Sequence, residues 1–173
     1  MRRGDKNLNS NADKIAELFI SYGDEILRTC MLILGNHYLA EDAAMMVYEK
    51  ALSSYSGFKG HSSEKTWLIK IAINTCRDIL KSHTYSRRAD DVVLDSMVCE
   101  NQYTKAEKRL CVSEAVMSLP DKYREAAVLC FYNGMTAKEA AKTAAVAQTT
   151  MNYRICKAKE LLKKHLKEWS DEL

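Results

Sequence analysis

One proline and six glycines in 173 residues constrain this chain more than any other feature. Strand-rich folds need frequent turns, and turns draw on Gly and Pro. A chain this poorly punctuated has few places to reverse direction, so long helices are favoured. The residues that dominate it (Ala, Leu, Lys, Glu, Met) are good helix formers. Apolar residues make up 47% of the chain, enough for a packed core. The length suits one ordinary domain or two small ones.

Apolar spacing divides the chain further. Residues 1–11 are polar and read as disordered. From Ala12 to Leu34, Ile15, Leu18, Phe19, Tyr22, Ile26, Leu27, Cys30 and Leu34 recur at intervals of three and four, which predicts an amphipathic helix. Gly35-Asn36 stops it. A second helix is predicted from about Leu39 to Tyr55, with Ala43, Val47 and Ala51 on one side. The Gly/Ser-rich stretch 53–63 reads as a loop. A third helix follows over Glu64–Ser82. Trp67, Leu68, Ile71, Ala72, Thr75, Cys76 and Ile79 form its predicted buried side, with Trp67 read as core. Thr66, Lys70, Asn74, Arg77 and Lys81 form the opposite, polar side.

Residues 83–103 lose the periodicity and read as a linker, although Val92-Val93-Leu94 could dock. Thr104-x-x-Glu107 is a capping-box pattern that opens the next helix, ending at Leu119-Pro120. Pro suits the start of the helix that follows, 121–132, which Asn133-Gly134 closes. A second capping box, Thr136-x-x-Glu139, opens a short Ala-rich helix to about Ala144. A turn at Ala145–Ala147 leads to a last helix, about Thr149 to Trp169. The fold class is therefore all-α, with helical segments at 12–82 and 104–173 separated by a linker.

Net charge is only +3, but its distribution is uneven. Residues 1–82 carry 11 basic and 10 acidic side chains, and 83–103 carry 2 and 4, whereas 149–167 carry six basic and one acidic. A cationic stretch ending a near-neutral chain points to a local polyanion, or to a solvated helix face. Six cysteines (Cys30, Cys76, Cys99, Cys111, Cys130, Cys156) form no C-x-x-C pair. They read as small buried hydrophobes in a reducing cytosol rather than a disulfide framework. His37, His61, His83 and His165 are too scattered for a zinc site, so no metal and no cofactor is expected. The polar N-terminus reads as neither signal peptide nor anchor, and no run approaches a membrane span. The expected protein is cytoplasmic. Nothing resembles a phosphate loop or a nucleophile–base arrangement, so no enzyme activity is expected.

Two stretches carry functional chemistry. Residues 135–166 read as short helix, tight turn and longer basic helix, the geometry of a helix-turn-helix. On the last helix Met151, Ile155, Ala158, Leu162 and Leu166 make an apolar stripe. Asn152, Tyr153, Cys156, Lys157, Lys159, Lys163, Lys164 and Lys167 face away. A recognition helix uses its first turns on base edges and its cations on phosphates. The alternative is a terminal amphipathic helix in a bundle. The second stretch is 58–82, a Gly/Ser loop before a helix with a Lys/Asn/Arg stripe. Single-stranded nucleic acid is held by such cations along its backbone and by pockets for unstacked bases.

These parts, in this order, resemble the extracytoplasmic-function (ECF) sigma factors of bacterial RNA polymerase. Leu34-Gly35-Asn36, then Ala40-Glu41-Asp42 and Val47-Tyr48, resemble the family's polymerase-binding segment. Phe58-Lys59-Gly60 followed by Thr66-Trp67-Leu68-Ile69-Lys70-Ile71-Ala72-Ile73-Asn74 and Asp78-Ile79-Leu80-Lys81 resemble its promoter-melting, minus-ten-reading segment. Leu119-Pro120-x-x-x-Arg124, with Thr150 and Arg154, is similar to its minus-thirty-five-binding domain. The resemblance implies a sigma-two domain at 12–82, a flexible linker at 83–103 and a sigma-four domain at 104–173. Carried over by position, it implies core polymerase contacts at Asp42, Met45, Met46 and Glu49. It implies minus-ten contacts at Lys59, Ser62, Ser63, Lys70, Asn74 and Arg77. It implies minus-thirty-five contacts at Thr149, Thr150, Asn152, Tyr153, Arg154 and Lys157. Core RNA polymerase, promoter DNA and an anti-sigma factor are the implied partners.

The chain also departs from the family. Met45-Met46 stands where Gln-Glu is usual, which should weaken or re-tune polymerase affinity or else make the contact a more apolar one. Ala145 replaces the usual turn Gly, and Ala147 the usual Ser N-cap. Ala140 and Ala144 replace large aliphatics, so the second core is expected to be thin. Thr149-Thr150-Met151-Asn152-Tyr153-Arg154 replaces a Gly-Thr-Val-Lys-Ser-Arg run, so DNA preference should differ from the family's. A degenerate sigma-like adaptor and a stand-alone helix-turn-helix regulator are the rival readings. The second leaves the 58–82 stripe unexplained.

Overall fold

The computed structural model describes residues 3–87 and 112–171, with side chains over 11–82 and 112–166. It divides into two compact units, Met1–His83 and Thr84–Leu173. The described residues are helical and contain no strand.

The first unit is built from α1 (Arg3–Leu34), α2 (His37–Ser54), a 3₁₀ turn (Tyr55–Gly57) and α3 (Glu64–Arg87). Gly35, at φ 68°, makes the left-handed break after α1 that a Cβ would strain. Asn36 then caps α2, its Oδ1 accepting from the Leu39 N–H at 3.0 Å. That cap places the start of α2 at His37 rather than Leu39. The core is aliphatic: Ile15, Leu18, Ile26, Ile33, Val47, Leu68, Ile69 and Ile73 are all buried. Burying side chains of this size stabilises by about 1.5–3 kcal/mol each. Cys30 and Cys76 lie in the same core as free thiols, and their mutual hydrogen bond and burial push the Cys76 thiol up.

Three expectations change here. The α1 backbone is helical from Arg3, so 3–11 is not the unstructured segment its polarity suggested. Polarity argues against burial, not against helix, and no Pro interrupts the stretch. Helix α3 continues past Ser82 to Arg87, into the predicted linker, because no breaker stands at 83–87. Its buried arc is also wider than predicted. Ile69 and Ile73 are buried, whereas Trp67, Ile71 and Ile79 are only half-buried. The reason is that α3 meets two helices. Lys65 reaches Glu25 of α1 at 2.7 Å, and Lys50 of α2 reaches Thr75 at 3.0 Å and Asp78 at 3.8 Å. The rest of the predicted linker, Val92-Val93-Leu94 and the Thr104–Glu107 capping box lie outside the described residues, as do Cys99 and Cys111.

The second unit contains α4 (112–117), α5 (Asp121–Ala127), a π turn (Val128–Tyr132), α6 (Ala137–Ala144) and α7 (Gln148–Asp171). Pro120 occupies the N-cap of α5, not its first turn, and its carbonyl accepts from the Tyr123 and Arg124 N–H groups at 2.8 and 2.9 Å. Arg124 turns back to donate to the Met117 and Leu119 carbonyls at 2.6 and 3.1 Å, so the Leu-Pro-x-x-x-Arg string is a staple holding the end of α4 on α5. The π turn was not foreseen. Asn133 closes it by donating both its N–H and its side-chain amide to the Val128 carbonyl, each at 3.0 Å. Leu119, Ala127 and Ala158 form a core cluster with Tyr123, Leu161 and Leu162 packed against it. Much of the remaining interior is alanine: Ala126, Ala140, Ala141 and Ala144 are buried beside Leu129 and Met151. The predicted stripe on α7 fades outward, from buried Met151 and Ala158 to Leu166, which is 41% exposed.

Candidate nucleic-acid interface

In the first unit, the loop before α3 is fixed by side chains at both of its ends. Tyr55 stacks near Phe58 at 6.0 Å between centroids, and Trp67 closes on Phe58 at 5.2 Å and on Tyr55 at 5.8 Å. Trp67 is therefore a half-buried clasp on the loop and not a core residue, a correction that follows from its place at the edge of the apolar arc. The Tyr55 hydroxyl donates to Glu64 Oε1 at 2.6 Å, and that hydrogen bond, more than burial, pushes the phenol up to about 12. Ser63 is the N-cap of α3: its Oγ accepts from the Thr66 N–H at 3.1 Å. Gly60 sits at φ 69° in the loop, which only Gly enters at little cost. Lys59 and Ser62 are exposed on this loop, and Lys70 and Asn74 are exposed on the outer side of α3 with half-buried Arg77. Sequence reading missed Tyr55 and Glu64; the nine-residue spacing between them meets only once the 3₁₀ turn reverses the chain.

On α2, burial of Ala40, Ala43, Val47 and Ala51 fixes the opposite face outward. That face carries exposed Asp42 and Glu49, with Met45 66% and Met46 38% exposed. Two thioether side chains in water between carboxylates form a small apolar patch with an acidic rim.

In the second unit, the Thr136 capping box forms as predicted. Thr136 Oγ1 accepts from the Glu139 N–H at 3.3 Å, and the Thr136 N–H donates to Glu139 Oε2 at 2.9 Å. The Thr136 hydroxyl and N–H together hold the Glu139 carboxyl below its usual range. Helix α6 ends at Ala145 in the left-handed region, φ 54°, the position read as a replaced Gly. Val146 N–H returns to the Ala141 carbonyl at 3.0 Å. Helix α7 then presents Thr149, Thr150, Asn152 and Tyr153 to solvent, with Arg154 and Lys157 half-buried beside them. Lys157 Nζ donates to both Glu160 oxygens at 2.8 Å. Tyr153 does not stand alone: its ring meets Tyr123 of α5 at 6.5 Å in an edge contact.

The geometry is thus two surfaces on two helical units, each a polar stripe with cations on a helix whose other side is core. Residues 18–85 match the family described as Sigma-70 region 2, and residues 109–162 match Sigma-70, region 4. The chain is 27% identical over 169 residues to the ECF RNA polymerase sigma factor SigW of Bacillus subtilis, covering 90% of each chain. The chain belongs to the ECF sigma factors. The RNA polymerase sigma factor YlaC of Bacillus subtilis is 26% identical over 168 residues, covering 92% of this chain and 96% of its own. The sigma factor RpoE of Bartonella quintana, solved with the anti-sigma factor NepR, shares the fold. Its TM-score is 0.79 at 22% identity, over 89% of this chain and 97% of that one.

Membership makes the chain an alternative sigma factor for transcription initiation, in a family of initiation factors rather than enzymes. The region 2 match contains the whole Phe58–Lys81 string, and the region 4 match contains Arg124, the capping box and most of α7. No described helix is long and apolar enough to cross a membrane. Among the described residues no group of three His, Cys, Asp or Glu side chains could hold a metal ion.

Proposed function

We infer that this sigma factor docks on core RNA polymerase through Asp42, Met45, Met46 and Glu49. The 58–63 loop and Lys70, Asn74 and Arg77 then hold the peeled-open minus-ten strand. Thr149, Thr150, Asn152, Tyr153, Arg154 and Lys157 face the minus-thirty-five duplex. Ser63 contributes by fixing the start of α3, since its hydroxyl is engaged as the cap. The observation that carries this reading is the Lys70–Asn74–Arg77 stripe. It lies on the solvent side of α3, the helix that follows a loop anchored by three aromatic rings. Phosphates meet the cations, and a base leaving the stack can be read at the loop. The chain acts in the cytoplasm without a cofactor and without enzyme activity of its own. An anti-sigma factor that covers these surfaces, as NepR accompanies RpoE, completes the partner set.

Run-off transcription with core polymerase, on promoters found by sequencing transcripts after overproduction of the chain, tests this. Lys70→Ala and Asn74→Ala should abolish promoter opening while the chain still co-purifies with core. Normal opening by both variants would refute the minus-ten surface. Promoter-specific regulation by a chain that does not co-purify with core polymerase would instead support a stand-alone regulator.

A further inference from the structure

A second feature of the C-terminal unit lies beside the recognition helix. Lys122 and Tyr123 open α5, and Tyr153 and Lys157 lie one turn apart on α7. The Lys122 ammonium sits 4.9 Å from the Tyr123 ring centroid, and the Tyr123 and Tyr153 rings meet edge-on at 6.5 Å. Lys157 is held by a chelating contact with Glu160, 2.8 Å to each oxygen. Lys122 and Tyr153 are exposed, and Tyr123 and Lys157 half-exposed. The four thus form one solvent-facing cluster of two phenol hydroxyls and two ammonium groups, with Glu160 as the carboxylate on its edge.

We propose that Lys122, Tyr123, Tyr153 and Lys157 form a composite site for one DNA backbone phosphate, extending the upstream DNA contact from α7 onto the start of α5. The proposal rests on the reading of α7 as a DNA-facing helix and names a part of the interface that the helix-turn-helix does not contain. Three features support it. Phenols and ammoniums are donors, and phosphodiester oxygens accept only. Hydrogen bonding with Tyr153 draws the Tyr123 phenol below its usual range, and the nearby Lys122 and Lys157 charges act in the same direction. The cluster also adjoins Thr149, Thr150 and Asn152, so a duplex lying on those residues brings its backbone alongside. It reassigns Tyr153: its ring is turned to Tyr123, which makes it a phosphate-holding residue instead of a base reader. Glu160 then acts as a brake, because it neutralises Lys157 and repels the phosphate.

The test is anisotropy of a labelled random-sequence duplex titrated with the full-length chain across a salt series. Each phosphate neutralised by a cation contributes about −0.9 to the slope of log K against log salt. Lys122→Gln should reduce that slope in magnitude by about 0.9. Joint Tyr123→Phe and Tyr153→Phe should weaken binding several-fold with the slope unchanged, since neutral donors release no counterions. Glu160→Gln should tighten binding. Circular dichroism of each variant confirms that unit two is folded, and the Tyr→Phe changes keep the Tyr123 ring that packs on the core. Should Lys122→Gln and the double Phe variant both match wild type while Arg154→Ala binds weakly, the clamp is wrong and the DNA-facing α7 stands. The cluster would then suit an acidic protein partner. Wild-type chain with no salt-dependent DNA binding would remove both readings together.

Discussion

The two units solve the same packing problem with different materials. The first fills its centre with isoleucine, leucine and valine, and seals the 58–63 loop with aromatic rings. The second packs helices largely through alanine, and ends α6 at a strained Ala145. Alanine lets helices approach closely but removes little apolar surface from water per residue. The second unit therefore depends on a few large side chains and on polar staples such as Arg124 and the Thr136 capping box.

The largest expected effect comes from equal truncations in the two cores. Leu129 and Ile73 are both fully buried. Either change to Ala should cost about 3 kcal/mol. A small helical unit has on the order of 5 kcal/mol in total, and the alanine-lined one should have less. Leu129→Ala should leave unit two mostly open by amide hydrogen exchange, while Ile73→Ala leaves unit one protected. Equal loss of protection in both would break the comparison.

The thin second core was legible through the family resemblance, because Ala140 and Ala144 stand where the family carries large aliphatics. So was the left-handed position of Ala145, which stands where the family's turn carries Gly. Helices, caps and exposed stripes were legible for a common reason: they rest on local spacing of three and four. Features that depend on tertiary contact were not. The width of the buried arc of α3 follows from its meeting two helices, which no single-helix pattern records. Trp67 was misread for the same reason, as its partners Tyr55 and Phe58 come from a different turn. The π turn at Val128–Tyr132 needs a second hydrogen bond from the Asn133 side chain, and a run of apolar residues gives no hint of it. The Tyr123–Tyr153 contact joins α5 to α7 across thirty positions and was equally hidden.

A smaller effect sharpens the contrast from the other side. Ala145→Gly relieves a left-handed alanine, at about 1 kcal/mol. Ala147→Ser restores an N-cap for α7 worth about 1 kcal/mol. Together they should raise the unfolding midpoint of unit two in urea without altering its slope. The same pair should leave exchange protection in unit one unchanged. A pair that fails to stabilise would mean the turn has relaxed in a way that makes alanine comfortable.

The smallest effect concerns the aromatic clasp. Tyr55 is held protonated by its hydrogen bond to the Glu64 carboxylate, which raises its pKa from 10.0 to about 12. A raised folded-state value means the stabilisation is complete below pH 10.0 and is lost as pH climbs through about 12. A hydrogen bond to a charged group is worth about 1.5–3 kcal/mol when buried, and partial exposure brings this one to about 1 kcal/mol. Tyr55→Phe should therefore lower the stability of unit one by that amount at neutral pH and flatten its decline in alkali, measured by urea unfolding across the pH range. Because the ring remains, Phe58 and Trp67 keep their packing, and any loss of promoter opening in this variant would trace to the hydroxyl's grip on the start of α3. A wild-type and variant pair that decline in parallel through alkaline pH would show that the clasp is held by ring packing alone.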